Sequence, residues 1–274
     1  MATTEKTATQ TVTSSDGTSI AYEKSGAGAP VILVDGALCF REFGPARGLA
    51  RELASGFTVF CYDRRGRGES DDTPSTLQRE IDDIEALIDV AGGTASLYGI
   101  SSGGALALEA AAALGHKVDK LALYEIPYDG SEDGVRRWRE YRKRLAQLLA
   151  EERGGDATEL FMRFVGASDH GVEGMRNSPV WPVFETVGRT LGNDAAALGD
   201  DRVVPVQTAS AITATTLVMD GGASIEAMPF MRASADRLAQ AIPRAEHRVI
   251  EGQGHEVDAA ALAPVLREFF AASA

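Results

Sequence analysis

Apolar and polar positions follow two patterns along most of the chain. Apolar runs that predict buried strands cover residues 30–36, 57–63, 94–100, 120–126, 214–222 and 246–252. A polar turn at 14–17 separates two further strand-like segments and predicts a hairpin. Between the runs, apolar residues recur every three or four positions, which indicates amphipathic helices. Strands that alternate with helices predict an α/β fold with a mostly parallel, eight-stranded sheet.

The alternation is interrupted once, between residues 128 and 213. Trp138, Tyr141 and Leu145 lie on one face of a long helical pattern there, and strand-like runs are absent. We therefore predict a helical cap at 128–213, inserted after the strand 120–126 into a core formed by residues 1–127 and 214–274.

Composition and charge narrow the choice of ligand. The 274 residues are 44% hydrophobic and 24% charged, as in ordinary globular proteins. A formal net charge of −13 repels phosphate backbones and anionic lipids, so we expect neither nucleic-acid nor membrane binding. Residues 1–17 contain no apolar stretch of the signal-peptide type, which predicts a cytoplasmic protein. A small molecule is the expected partner, and the sequence leaves open whether the protein forms a homodimer.

Metal and disulfide chemistry have no sequence support. The chain lacks C-x-x-C and H-E-x-x-H patterns, so we expect no metal and no cofactor. Cys39 and Cys61 lie in or beside strand-like segments, which favours buried, reduced thiols.

The stretch "GISSG" at 99–103 fits G-x-S-x-G between a predicted strand and a predicted helix, the context of a nucleophile elbow. The two glycines permit a sharp reversal, and the serine between them is held exposed above the sheet. We predict Ser101 as a nucleophile, with the backbone N–H of Ser102 available to an oxyanion.

A serine nucleophile needs a base, and the chain has four histidines. His255 follows the last predicted strand in the glycine-flanked loop "EGQGHEV", at the same edge of the sheet as Ser101. His116 follows a helix, His170 lies in the cap and His247 lies within a strand. We therefore predict His255 as the general base, which is also last in triad order for this kind of fold.

Four motifs in this order resemble the α/β-hydrolase superfamily: "ILVDGA" (32–37), "YDRRGRGES" (62–70), "GISSGG" (99–104) and "GQGHEV" (252–257). The resemblance implies that 32–37 is the oxyanion loop. Its glycine allows close backbone approach, so the N–H of Gly36, or alternatively of Ala37, is expected to bind the oxyanion together with that of Ser102.

The carboxylate that orients His255 departs from the commonest pattern of that superfamily. The usual position, in the loop after strand 214–222, corresponds to Ser224, which cannot be an acid. Glu125 at the end of strand 120–126 is the preferred substitute, and Asp220 at the end of the later strand is the alternative.

Asp35-Gly36, the elbow, Glu125 and "SPVW" (178–181) together are similar to the zearalenone-lactone hydrolases. This resemblance implies a triad of Ser101, Glu125 and His255, with Trp181 contacting a lactone.

Asp35, Phe40 and Tyr128 are further expected lining residues of the substrate pocket. Asp35 is equally well explained as a turn former, and Trp181 as a packing residue between cap and core.

The sequence therefore predicts a cofactor-free carboxylic ester hydrolase that cleaves an ester or lactone of a bulky apolar molecule through an acyl-enzyme. A zearalenone-type macrolactone is the single best substrate expectation. The alternatives are carbon–carbon bond hydrolysis, perhydrolysis, or a non-hydrolytic homologue that binds a ligand or closes a ring.

Overall fold

The computed structural model describes residues 8–272. Residues 1–7 and 273–274 lie outside the described residues. Both segments belong to the predicted core, and residues 1–7 are also part of the segment searched for a signal peptide. Eight strands form one sheet: β1 (Gln10–Thr13), β2 (Ser19–Ser25), β3 (Ala29–Val34), β4 (Phe57–Tyr62), β5 (Ala95–Ile100), β6 (Val118–Tyr124), β7 (Thr215–Gly221) and β8 (Ala245–Ile250).

The strand order is β1-β2-β4-β3-β5-β6-β7-β8. β1 and β2 form the predicted hairpin, and β2 joins β4 in antiparallel pairing. All pairings from β4 to β8 are parallel, because a helix connects each strand to the next and returns the chain to the same edge. The predicted fold class is confirmed.

Helices cover both faces of this sheet. Their bounds are α1 (Ala46–Leu53), α2 (Leu77–Val90), α3 (Ser101–Leu114), α4 (Glu132–Ala150), α5 (Gly154–Phe164), α6 (Asp169–Arg176), α7 (Trp181–Val187), α8 (Leu191–Ala197), α9 (Val206–Ser210), α10 (Ser224–Ala227), α11 (Phe230–Ala241) and α12 (Ala259–Ala271). α1 and α12 bury their apolar stripes on one face, and α2, α3 and α11 cover the other. Within residues 8–272, no helix combines the length and hydropathy needed to cross a membrane.

The helices α4 to α9 occupy the segment between β6 and β7. α4 turns Trp138, Tyr141, Leu145 and Leu148 inward, as the three-to-four residue spacing predicts. α8 and α9 pack against α3, so this helical segment rests on the helix that begins at Ser101.

Strand and helix ends differ from the predictions at several points. β3 and β6 each end two residues early, at Val34 and Tyr124. After β6 the chain leaves extended geometry, since Glu125 has φ 45°. Between β7 and β8 the chain forms two helices, α10 and α11, separated at Pro229, whose ring favours a new helix start.

Candidate active site

A strained turn joins β5 to α3 at Ser101. Its φ is 56°, in the left-handed region that residues with a side chain seldom adopt. A Cβ on Gly99 would lie 2.6 Å from Gly104 Cα, and one on Gly103 would collide with the Val34 carbonyl oxygen. Both motif glycines are therefore required by close packing. The turn leaves Ser101 half-buried at the N-terminus of α3, where the helix dipole favours negative charge.

The ends of β5 and β6 lie side by side. Ile100 pairs with Tyr124, so the residues that follow them, Ser101 and Glu125, begin at the same level of neighbouring strands. Glu125 Oε2 lies 2.8 Å from Nδ1 of His255, which comes from the loop after β8. The structure thus gathers these three predicted residues at one edge of the sheet, as parallel topology requires.

Glu125 is a fully buried carboxyl group with a hydrogen-bond partner at each oxygen. Its Oε1 accepts a 2.8 Å hydrogen bond from the Gly221 N–H. Burial alone would raise the pKa of Glu125, but His255, the nearby Ser224 hydroxyl and the Gly221 N–H outweigh it, so the pKa lies below its ordinary value. Ser224, the position of the usual acid, is buried beside Glu125.

His255 keeps one ring nitrogen available. Its Nδ1 faces Glu125, and Nε2 has no hydrogen-bond partner among residues 8–272. The side chain is 34% exposed, whereas that of Glu125 is 0% exposed. An imidazole oriented at one nitrogen and open at the other is suited to proton transfer.

Asp220, the alternative acid, has other partners. Its Oδ1 lies 2.5 Å from Nε2 of His247, and its Oδ2 accepts a 2.6 Å hydrogen bond from Arg232. Nδ1 of His247 is in turn 3.0 Å from Asp236 Oδ1. The structure therefore brings Glu125 to His255 and Asp220 to His247.

The predicted oxyanion loop passes directly beside the nucleophile. A Cβ on Gly36 would lie 3.1 Å from Ser101 Cβ and 3.6 Å from its Oγ. The Gly36 carbonyl accepts a 2.7 Å hydrogen bond from Arg67 Nη1. In a trans peptide, C=O and N–H point in opposite directions, so the Ala37 N–H faces away from Arg67. The Arg67 contact therefore fixes the peptide that carries the Ala37 N–H.

A buried polar cluster lies behind the loop, consisting of Arg64, Arg67, Ser102 and Asp194; we call it the Asp194 cluster. Asp194, on α8, receives hydrogen bonds of 2.6 Å from Arg64 at Oδ1 and 2.7 Å from Arg67 at Oδ2. The Ser102 hydroxyl donates a 2.8 Å hydrogen bond to the same Oδ1. Burial would raise the pKa of Asp194, but the two guanidinium groups and Ser102 hold it below its usual value.

Asp35 and Phe40, predicted as pocket residues, both lie between β3 and α1, Asp35 within the predicted oxyanion loop and Phe40 after it. Asp35 is buried, and its carboxylate accepts a hydrogen bond from the N–H of Ala46 at the start of α1; burial raises its pKa to about 7. This contact fits the turn-forming role. Phe40 lies against Phe43, whose ring meets Phe184 of α7 edge-on at 4.9 Å.

Trp181 and Tyr128 have contacts of a packing kind. Trp181, 7% exposed, opens α7, and a Cβ on Gly155 would lie 3.3 Å from its Cζ2, so it packs inside the helical segment. Tyr128 is 3% exposed, and burial raises its pKa. The Glu109 carboxylate, two turns along α3 from Ser101, raises this pKa further. Both residues belong to the hydrophobic core, and their substrate-binding role stays a prediction.

Asp194 and the two arginines were missed by sequence reasoning. Three arginines within residues 64–67, directly after a buried strand, were a usable signal, because buried guanidinium groups require acceptors. Asp194 had no such signal, since nothing local separates it from the other acidic residues of the helical segment. In the described part of the chain, no three His, Cys, Asp or Glu side chains are grouped as metal ligands.

The chain is similar to several proteins of solved structure. No curated protein matches it. Among solved structures it is similar to an alpha/beta hydrolase from Sphaerobacter thermophilus, at 47% identity and a TM-score of 0.84, with 95% of this chain and 100% of that chain covered. A thermophilic esterase from Thermogutta terrifontis shares 25% identity and a TM-score of 0.69 over 96% of this chain and 98% of that one. A hydrolase from Pseudomonas aeruginosa, 21% identical with a TM-score of 0.69 over 96% and 98%, shares the fold.

The model of the alpha/beta hydrolase family matches residues 25–267, which span most of the sheet, the helical segment and the candidate site. Membership supports a hydrolase. The chain belongs to the alpha/beta hydrolase family.

Proposed function

We propose that the protein is a serine-dependent carboxylic ester hydrolase with a triad of Ser101, His255 and Glu125. The observation that carries the proposal is the 2.8 Å hydrogen bond between Glu125 Oε2 and His255 Nδ1. The ionised carboxylate fixes the tautomer in which Nε2 can accept a proton, and it stabilises the imidazolium that forms. The strained, half-buried Ser101 at the start of α3 supplies a nucleophile beside that base.

In the proposed reaction, His255 Nε2 takes the Ser101 proton while Oγ attacks the ester carbonyl. The oxyanion is held by the N–H groups of Ser102 and Gly36, or of Ser102 and Ala37 in the alternative arrangement. His255 then gives its proton to the leaving alkoxide, which departs as the alcohol and leaves an acyl-enzyme. The same histidine activates water, which releases the acid and regenerates Ser101.

The proposed substrate is an ester or lactone of a bulky apolar molecule, held beneath a cap formed by residues 128–213. Phe43 supports this assignment, because the residue is 45% exposed and its ring reaches from the connection between β3 and α1 to Phe184 of that segment. The esterase from Thermogutta terrifontis, at 25% identity, supports ester chemistry. A zearalenone-type macrolactone is the first lactone to test.

The test combines labelling and turnover. We expect a fluorophosphonate to modify wild-type protein at Ser101, and p-nitrophenyl esters or macrocyclic lactones to be hydrolysed with the product masses of acid and alcohol. Ser101→Ala should abolish both and leave ligand binding intact. Absence of labelling in a folded, ligand-binding wild type would favour the non-hydrolytic alternative, and turnover that survives Ser101→Ala would contradict the acyl-enzyme mechanism.

A further inference from the structure

We infer that Asp194 is a positioning residue, which fixes both halves of the oxyanion hole from a helix outside the sheet. The inference rests on the proposed function, because it assigns a role within that mechanism. Asp194 lies on α8, between β6 and β7 in sequence, whereas the groups that it holds belong to the strand ends.

One arm of the contact runs to the nucleophile elbow. Asp194 Oδ1 accepts the Ser102 hydroxyl at 2.8 Å, and Ser102 is the second residue of α3. The Ser102 N–H, a proposed oxyanion donor, belongs to the residue whose side chain is fixed in this way. Movement of Asp194 would therefore release the residue that carries the donor.

The other arm runs through Arg67 to the oxyanion loop. Asp194 Oδ2 holds Nη2 of Arg67 at 2.7 Å, and Nη1 of the same guanidinium donates to the Gly36 carbonyl at 2.7 Å and to the Cys39 carbonyl at 3.1 Å. The Gly36 carbonyl shares its peptide plane with the Ala37 N–H. A rotation of this peptide would turn the Ala37 N–H, one of the two candidate donors of the loop, away from the reacting carbonyl, and Arg67 opposes that rotation.

A structural role alone does not explain such a cluster. Replacing buried ion pairs by apolar residues is often neutral or stabilising, so ionic groups are poor devices for stability. Arg64, Arg67 and Asp194 are each no more than 5% exposed at the side chain. Their hydrogen bonds converge on the elbow and the loop on either side of Ser101, and we assign the cluster to the alignment of those two segments.

The experiment compares Asp194→Asn with a matched variant, Asp83→Asn. Asp83, on α2, is also buried and is bound at 2.6 and 2.8 Å by Arg65, which follows β4. The other hydrogen bonds of Arg65 go to Asp16, Thr18, Thr73, Pro74 and Arg79, none of which belongs to the elbow or the loop. Turnover of p-nitrophenyl acetate is measured together with inhibition by 2,2,2-trifluoroacetophenone, which mimics the tetrahedral oxyanion, and by acetophenone, which does not. Ser102→Ala is the second test variant, because it keeps the N–H and a small side chain and is expected to fold.

We expect Asp194→Asn to lower kcat by about 10- to 100-fold with little change in KM, somewhat less than the ~10²–10³-fold cost of deleting an oxyanion donor. Affinity for the trifluoroketone should fall by a similar factor, while that for acetophenone stays constant. Ser102→Ala should show the same pattern at smaller amplitude, and Asp83→Asn should keep kcat.

Two results would overturn the role of Asp194 and leave the proposed function standing. One is an active wild type whose kcat is unchanged in both Asp194→Asn and Ser102→Ala. The other is a loss of kcat in Asp83→Asn equal to that in Asp194→Asn. Wild-type protein that neither hydrolyses the ester nor binds the trifluoroketone would overturn the proposed function, and the role of Asp194 with it.

Discussion

Two histidine–carboxylate pairs involve β8 or the loop that follows it, and they differ in which ring nitrogens of the histidine are bound. His255 uses Nδ1 to contact Glu125 and keeps Nε2 open in the described structure. His247 has a carboxylate at each ring nitrogen, Asp220 at 2.5 Å and Asp236 at 3.0 Å, and Asp220 is also bound by Arg232. Only the first pair has a nitrogen with which to accept a proton.

A carboxylate beside a histidine does not by itself mark a catalytic site. A base must be oriented on one side and vacant on the other. The Asp220 pair links β7, β8 and α11, which is a structural task, and the strand register places His247 within β8 rather than beyond it.

The largest expected difference is between the two imidazoles. We expect His255→Gln to lower kcat for p-nitrophenyl acetate by at least about 10⁴-fold, because triad members act as a unit. His247→Gln should leave kcat unchanged and lower the free energy of unfolding by about 1–3 kcal/mol through lost hydrogen bonds to buried Asp220. Equal kcat losses in both variants, measured alongside urea unfolding, would erase the distinction.

The two carboxylates give the next largest contrast. Glu125→Gln keeps the volume but removes the charge that sets the His255 tautomer, so kcat should fall by about 10³–10⁴-fold. Asp220→Asn should retain kcat and lower the free energy of unfolding by about 1–3 kcal/mol, because the hydrogen bonds of buried Asp220 with His247 and Arg232 are weakened. Stopped-flow turnover and urea unfolding of both variants measure this. If instead Asp220→Asn proves the more damaging to kcat, the acid is misassigned.

The sequence alone predicts some of these residues and not others, and the reason is physical. Ser101 and His255 sit in glycine-flanked turns after predicted strands, so local pattern and parallel topology together place them at one edge. The choice between Glu125 and Asp220 needed coordinates, because it depends on side-chain partners across three strands. The φ of 45° at Glu125, which ends β6 early, has no local sequence signature.

Long-range polar contacts were the least predictable part of the site. Ser102 and Asp194 are 92 positions apart in the chain, and Arg64 and Asp194 are 130 apart. Such pairs depend on how the helical segment rests on α3, which amphipathic periodicity does not specify.

A transfer of the acid sharpens the comparison further. Ser224 is buried beside Glu125, so an aspartate there should reach the His255 ring from the usual position of the superfamily. We expect Glu125→Ala with Ser224→Asp to recover about tenfold in kcat over Glu125→Ala alone, a fraction of the loss because the new carboxylate lacks the refined geometry of the original.

The control is Ser224→Asp in the wild-type background. There two carboxylates would share one site, and we expect lower stability and lower kcat from their repulsion. A double variant no more active than Glu125→Ala would show that position 224 cannot orient the imidazole.

The smallest expected effect is a dependence of stability on pH that belongs to the Glu125 pair. The pKa of Glu125 is lowered in the folded protein, so the ionised group stabilises the fold at pH values above the pKa of an unfolded glutamate, about 4.3. That contribution is lost as the pH falls through the lowered pKa. The free energy of unfolding of wild type should therefore exceed that of Glu125→Gln at pH 7, and the gap should narrow progressively below about pH 4. Urea unfolding of both proteins from pH 3 to pH 7 measures it, and a gap that widens with acid would mean that the carboxyl group is protonated in the fold and cannot hold His255 as proposed.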